Sequence, residues 1–146
     1  VNVSSMGGKG YTPLGAWYHA TKHALEGFSD CLRLETKPFG IYVSVIEPGA
    51  IESEWESIAA DTAERHSGDG AYREFTRKTV KTMREAYSKG KPSPASVVAR
   101  VIRKASTAHR PRTRYAVGKN ARLMLTMRKL LPDRGFDALL RMFYGL

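Results

Sequence analysis

Ile41-Tyr42-Val43-Ser44-Val45-Ile46-Glu47-Pro48-Gly49 is the stretch whose reading decides the fold. Residues 41–47 are rich in β-branched side chains, the composition of a buried strand, and Pro48-Gly49 closes the run. Immediately before it, the pattern predicts a helix from Ala16 to Lys37, with Leu25, Phe28, Leu32 and Leu34 among its apolar positions and Pro38 and Gly40 as its stop. Before that helix, Val1 to Ser5 reads as the end of a buried parallel strand, followed by a Gly-rich loop from Met6 to about Leu14. Strand, helix and strand at this spacing form a right-handed βαβ unit. In such sheets ligands bind outside the carboxyl ends of the strands. Ser5 and Pro48-Gly49 lie at two of those ends, and Tyr18 and Lys22 open the helix between them.

Those residues suggest a chemistry. Tyr18 and Lys22 stand at i and i+4, on one helix face about one turn apart. An ammonium beside a phenol favours the phenolate form, and a phenol tuned in this way exchanges a proton with an alcohol or carbonyl oxygen. Ser5, thirteen residues before Tyr18, can offer a second hydrogen bond to the same oxygen. The spacing selects Ser5 over Ser4, which is expected to face the other side of the strand end. A Tyr-x-x-x-Lys pair alone is common surface decoration. The order Asn2-Val3-Ser4-Ser5-Met6-Gly7-Gly8, then Tyr18-His19-Ala20-Thr21-Lys22, then Pro48-Gly49-Ala50-Ile51 gives the pair its weight.

This order resembles the catalytic half of the short-chain dehydrogenase/reductase superfamily, in its compact branch, from Val1 to about Ser53. The resemblance implies a partial Rossmann-like doubly wound parallel sheet of α/β class, with a helical substrate lid and C-terminal helices. It implies that Tyr18 is the general acid/base and that Lys22 tunes Tyr18 and holds the nicotinamide ribose. Ser5 would orient the substrate oxygen. Pro48, Gly49, Ile51 and Ser53, together with Tyr18 and Lys22, would contact NAD or NADP. Ser53 stands where the family often has Thr and keeps the hydroxyl. The implied function is interconversion of an alcohol and a ketone or aldehyde by hydride transfer. The rival reading is a non-catalytic nucleotide-sensing or scaffold relative, which an intact Ser, Tyr and Lys disfavours.

Two family features are not present. No Gly-rich dinucleotide fingerprint occurs, since Gly7-Gly8-Lys9-Gly10 follows the serine instead of opening a βα unit. The upstream Asn of the family's proton relay has no counterpart. The chain also begins without Met, inside a strand. It therefore reads as the C-terminal part of one domain, expected to be inactive without the nucleotide-binding half. The segments are 1–52 for the catalytic core, 53–92 for the lid, 93–119 for the last helix and strand, and 120–146 for C-terminal helices.

Composition narrows the remaining classes. The 146 residues fit one domain. No signal peptide or membrane-spanning run is visible. Cys31, the only cysteine, reads as a buried small hydrophobe and suits a reducing, cytoplasmic compartment. His19, His23, His66 and His109 show no metal-ligand pattern; His19 and His23 at i, i+4 read as one residue at the site mouth and one on the surface. Charge is uneven, with net −3 over residues 1–60 and net +13 over residues 61–146. The basic residues are scattered without an aromatic stacking platform, so a solvated basic face is expected in place of a nucleic-acid site.

In the lid, helical stretches are expected around 53–66 and 71–88, broken at Ser67-Gly68-Asp69-Gly70. Trp55, Ile58, Tyr72, Phe75 and Met83 either line an apolar substrate pocket or pin the lid to the core. Ser93-Pro94 reads as a capped helix start, with Val97, Val98, Val101 and Ile102 facing inward. Arg114 to Val117 reads as a last short strand. Two amphipathic helices divided by Pro132-Asp133 complete the chain, and either cover the sheet or the substrate mouth, or contact a membrane surface. The long first helix is expected to pack on its own sheet with one face, and in the family on a partner subunit with another, as a dimer or tetramer. The implied substrate is a small, apolar alcohol or carbonyl compound.

Overall fold

The computed structural model describes all residues from Val1 to Leu146. Three short parallel strands, β1 (Asn2–Val3), β2 (Val45–Pro48) and β3 (Arg114–Val117), lie in the order β1-β2-β3. Register sets Val3 beside Ile46 and Ile46 beside Tyr115. The helices are α1 (Ala16–Thr36), α2 (Trp55–Ser67), α3 (Arg73–Gly90), α4 (Ser96–Thr107), α5 (Ala121–Leu130) and α6 (Asp133–Tyr144). α1 links β1 to β2, while α2, α3 and α4 fill the connection from β2 to β3. The parallel α/β class and the element order match the reading of the sequence.

β2 is the centre of the sheet, and Val45 and Ile46 are fully buried. Its strand is shorter than the β-branched run predicts. Residues 41–44 lie outside the ladder: Ser44 still accepts from the Asn2 N–H at 2.9 Å, but the short β1 and β3 leave residues 41–43 without strand partners, and Ile41 and Tyr42 are exposed. α1 ends as its Pro and Gly imply: Lys37–Phe39 forms a 3-10 turn, and Gly40, at φ +71°, donates its N–H to the Lys37 carbonyl. That left-handed conformation strains any residue with a Cβ.

The face that α1 buries is polar. His19, Glu26 and Ser29 are buried, whereas Phe28 and Leu34 are exposed and Cys31 lies on the exposed side. The expectation of a buried cysteine is therefore corrected: the sheet-facing stripe runs through Glu26 and Ser29, and Cys31 falls on the other side of the helix. The charge inside that stripe is matched from β3. Arg114 reaches across to bond Glu26 at 3.0 Å and Asp30 at 2.8 Å, with Glu47 at 3.6 Å.

Ser93 does not cap α4, contrary to the sequence reading. Its backbone is used by the turn after β2, donating to the Ala50 carbonyl at 3.0 Å and accepting from the Glu52 N–H at 2.8 Å. The helix starts later, at Ser96, with Ala95 as its cap residue. Val97, Val98, Val101 and Ile102 are half-buried along its inner side, and Ala105 is buried. α2 and α3 form an antiparallel-spaced hairpin broken over Gly68–Tyr72, and α3 also contacts α6. Phe136 of α6 is fully buried and packs edge-on against Tyr11, with ring centroids 5.0 Å apart. α5 and α6 are divided at Pro132 as expected, and no helix is long and apolar enough to cross a membrane.

Candidate active site

Ser5 follows β1 and opens a 3-10 turn over Met6–Gly8. Its Oγ accepts the Gly7 N–H at 3.0 Å, so its own hydroxyl proton remains available for a substrate oxygen. Ser4 is buried, with its Oγ and the Glu26 side chain both packed close beneath Gly8; a Cβ on Gly8 would lie 2.5 Å from Ser4 Oγ.

Tyr18 lies in the first turn of α1. The Trp55 ring packs on it with centroids 5.1 Å apart, and Tyr87 continues the aromatic row 6.4 Å beyond Trp55. Lys22 lies one turn further along, its Nζ 6.0 Å from the Tyr18 ring centroid. That Nζ donates to the Val3 carbonyl at 3.2 Å, joining α1 to the carboxyl end of β1. Two ammonium protons are left for other acceptors.

The turn after β2 completes the site. Gly49 is required by the protein's own packing: a Cβ there would meet the Lys119 carbonyl at 2.0 Å and the Ala121 N–H nitrogen at 2.7 Å. The close approach expected of this glycine is thus made to the 118–121 segment. Ile51 bridges to Ser93, and the Ser53 hydroxyl donates to the Ile51 carbonyl at 3.3 Å.

One cavity of about 390 Å³ is lined by Ser5, Tyr18, Pro48, Gly49, Ile51 and Ser53, six of the seven residues singled out from the sequence. Lys22, the seventh, is not among its lining residues and is held at the strand end described above. Ser4, expected on the other side of the strand end, also borders it, as do Tyr87, Val98 and Met124, which sequence reasoning missed. No local motif marks them, because they reach the cavity from α3, α4 and α5. Burial pushes the Tyr87 phenol up from its ordinary value.

A second cavity of about 700 Å³ adjoins the first, sharing Thr12, Tyr18, His19 and Trp55. Leu14, Trp17, Ile58, Val80 and Met83 give it an apolar lining. Of the five lid residues named from the sequence, Trp55, Ile58 and Met83 line this space. Tyr72 and Phe75 pair with each other instead, and Phe75 borders a separate groove between α3 and α6. That groove is the larger depression, about 1040 Å³, but it holds none of Ser5, Tyr18 or Lys22. No cluster of three or more His, Cys, Asp or Glu side chains is arranged to hold a metal ion.

Ser5 and Tyr18 thus meet around one cavity at the carboxyl ends of a parallel α/β sheet, with Lys22 held beside it on the end of β1. The short chain dehydrogenase family matches residues 1–64. Over 141 residues the chain is 36% identical to VdlC, a probable short-chain type dehydrogenase/reductase of Helicobacter pylori, covering 97% of this chain and 51% of that protein. It is 31% identical over 154 residues to 17-beta-hydroxysteroid dehydrogenase type 6 of Rattus norvegicus, covering 96% of this chain and 46% of the relative. A crystal structure of a short-chain dehydrogenase from Streptomyces avermitilis superposes with a TM-score of 0.65 at 30% identity, over 99% of this chain and 48% of that one. The chain belongs to the short-chain dehydrogenase/reductase family of oxidoreductases. It spans about half the length of the curated relatives it matches.

Proposed function

We propose that this chain supplies the catalytic residues of an NAD- or NADP-dependent oxidoreductase that interconverts an alcohol and a ketone or aldehyde. The observation that carries the reading is the meeting of Ser5 and Tyr18 with Pro48, Gly49, Ile51 and Ser53 around one cavity. Ser5, with its proton free, donates to the substrate oxygen and fixes its position. Tyr18 gives its phenolic proton to that oxygen during reduction and takes it back during oxidation. Lys22, anchored on the Val3 carbonyl, keeps a positive charge within 6.0 Å of the Tyr18 ring and has donors left for ribose hydroxyls. The nicotinamide group, when bound, supplies or accepts the hydride. The turn from Pro48 to Ser53 is the segment that would hold it, and the presence of that turn on the cavity wall supports the fit.

The adjoining apolar cavity favours a hydrophobic substrate. Self-association through the exposed side of α1, where Trp17, Phe28 and Leu34 lie, fits the same reading. Peripheral contact with an anionic membrane is a second surface reading, supported by exposed Leu123, Leu130, Met142 and Phe143 among the basic residues of α5 and α6. Salt-sensitive binding to anionic vesicles supports that contact, and its absence removes it.

The test is Tyr18→Phe in the protein encoded by the complete reading frame. Turnover of alcohols or ketones should fall by about 10²–10⁴-fold, the usual contribution of a positioned acid/base, with melting behaviour unchanged. Near-normal turnover in that variant refutes the assignment.

A further inference from the structure

Between Ser5 and Tyr18 the chain makes one 3-10 turn and then runs without regular structure to Gly15, with Leu14 at φ +61°. Two catalytic groups on opposite ends of such a loop need something to fix their separation. His19, the residue after Tyr18, sits inside the loop and is only 8% exposed. Its Nδ1 lies 2.9 Å from the Gly7 carbonyl. Its Nε2 lies 3.0 Å from the Thr12 backbone nitrogen and 2.9 Å from Thr12 Oγ1. Glycines make the space: a Cβ on Gly7 would come within 2.9 Å of Nδ1, and one on Gly15 within 2.6 Å of Nε2.

The partners fix the protonation state. A backbone N–H can only donate, so Nε2 must accept from Thr12 and carries no proton. A carbonyl can only accept, so Nδ1 carries the proton and donates it to Gly7. With its one lone pair engaged, the ring is not placed to act as a base. The titratable groups around it are Tyr18 and His23 on its own helix, His66 of α2 across the second cavity, and Tyr144 of α6, which reaches the Thr12 side chain.

We propose that His19 is a positioning residue: as the neutral, Nδ1-protonated imidazole it ties Gly7 and Thr12 to the first turn of α1 and so fixes Ser5 relative to Tyr18. The role assigned to that pair rests on the catalytic reading above; the tie itself does not. Protonating Nε2 would set an N–H against the Thr12 N–H and break the tie at the loop's far end. Burial already holds the imidazole below its ordinary value of 6.5, in the direction that keeps it neutral.

The experiment uses the protein from the complete reading frame, in three forms. The native form is compared with His19→Phe, which fills the volume without hydrogen bonds, and with His19→Gln, whose amide has both a donor and an acceptor. Ring nitrogen spectra of histidine-labelled native protein at neutral pH should report the Nδ1-protonated tautomer. Hydrogen exchange of residues 6–15 should accelerate by at least about tenfold in His19→Phe and return toward native in His19→Gln, consistent with loss of a local opening barrier. The turnover number should follow the same order, falling about tenfold or more in His19→Phe while the melting temperature of the whole fold holds. An Nε2-protonated or charged ring, or native exchange in His19→Phe, overturns the proposal. Native turnover together with accelerated exchange in His19→Phe also overturns it, since the loop would then be free without consequence. If the native protein turns over no alcohol or carbonyl compound, the catalytic reading fails, and the spectra and exchange still decide whether His19 holds the loop.

Discussion

The Arg114 guanidinium on β3 lies 3.0 Å from the Glu26 carboxylate on α1, a contact between residues 88 positions apart. Glu26 is almost wholly buried, and the same guanidinium also faces Asp30 and Glu47. One cation thus serves three carboxylates, with Lys9 at 3.6 Å from Glu26 as a secondary partner. The cluster joins the strand that precedes the site turn to the helix that carries Tyr18.

Arg114→Ala should therefore destabilise the fold strongly. It removes the main partner of two buried carboxylates, a loss that costs about 3–5 kcal/mol where a buried pair is broken. Denaturant unfolding of the two proteins checks the difference, and a change below about 1 kcal/mol would mean that the cluster accommodates the loss of its cation at little cost. Arg114→Lys should recover only part of the loss, because an ammonium lacks the fork that meets Glu26 and Asp30 together.

The pH dependence of Asp30 follows from the same cluster. Hydrogen bonds from Arg114, assisted by Arg33, hold its carboxyl down from 3.8 to about 2. A carboxyl lowered on folding stabilises the folded state fully above its unfolded value, and the contribution disappears as pH falls through the folded value. Asp30→Asn should thus be less stable than the native protein near neutrality, and the gap should close between pH 3.8 and about 2. Glu47 has the opposite sign. Burial, with Glu26 nearby, raises its carboxyl above the ordinary 4.5, so ionised Glu47 opposes folding and its protonation relieves the cost as pH drops. Subtracting the Glu47→Gln stability curve from the native one isolates that component.

Trp55 lines both the small cavity and the larger apolar one, and its ring packs on Tyr18. Trp55→Ala should join the two spaces and favour bulky substrates over short ones by about tenfold or more in relative kcat/KM, the scale on which an apolar pocket discriminates. A series of alcohols of increasing chain length measures this ratio directly. An unchanged ratio would show that substrates do not pass Trp55.

The sequence was most readable where period and punctuation coincide. The α1 limits, β3 and the Pro132 division between α5 and α6 all follow from local signals, as does the gathering of Ser5, Tyr18 and the Pro48–Ser53 turn at one sheet edge. The shortened β2 was not readable, because a strand's length depends on partners remote in sequence. Ser93 failed as a cap for the same reason: its backbone is claimed by Ala50 and Glu52 across the β2 turn. The polar interior of α1 was hidden because Glu26 and Ser29 look like surface residues until Arg114 and Asn2 arrive opposite them. The reading of His19 and His23 as one residue at the site mouth and one on the surface does not include the loop contacts that bury His19. The spacing of Gly7 and Gly15 around it was the available signal, and it gains meaning once the loop is closed.

The outward placement of Cys31 has a practical side. It is the chain's only thiol, and it stands on the side of α1 that also carries exposed Phe28 and Leu34. A maleimide dye or nitroxide label can therefore be attached at one defined position without altering the sequence. Such a reporter sits on the surface proposed above for self-association. Distances measured between labels on paired molecules would then map that encounter from a native residue, leaving the cavity of Ser5 and Tyr18 untouched.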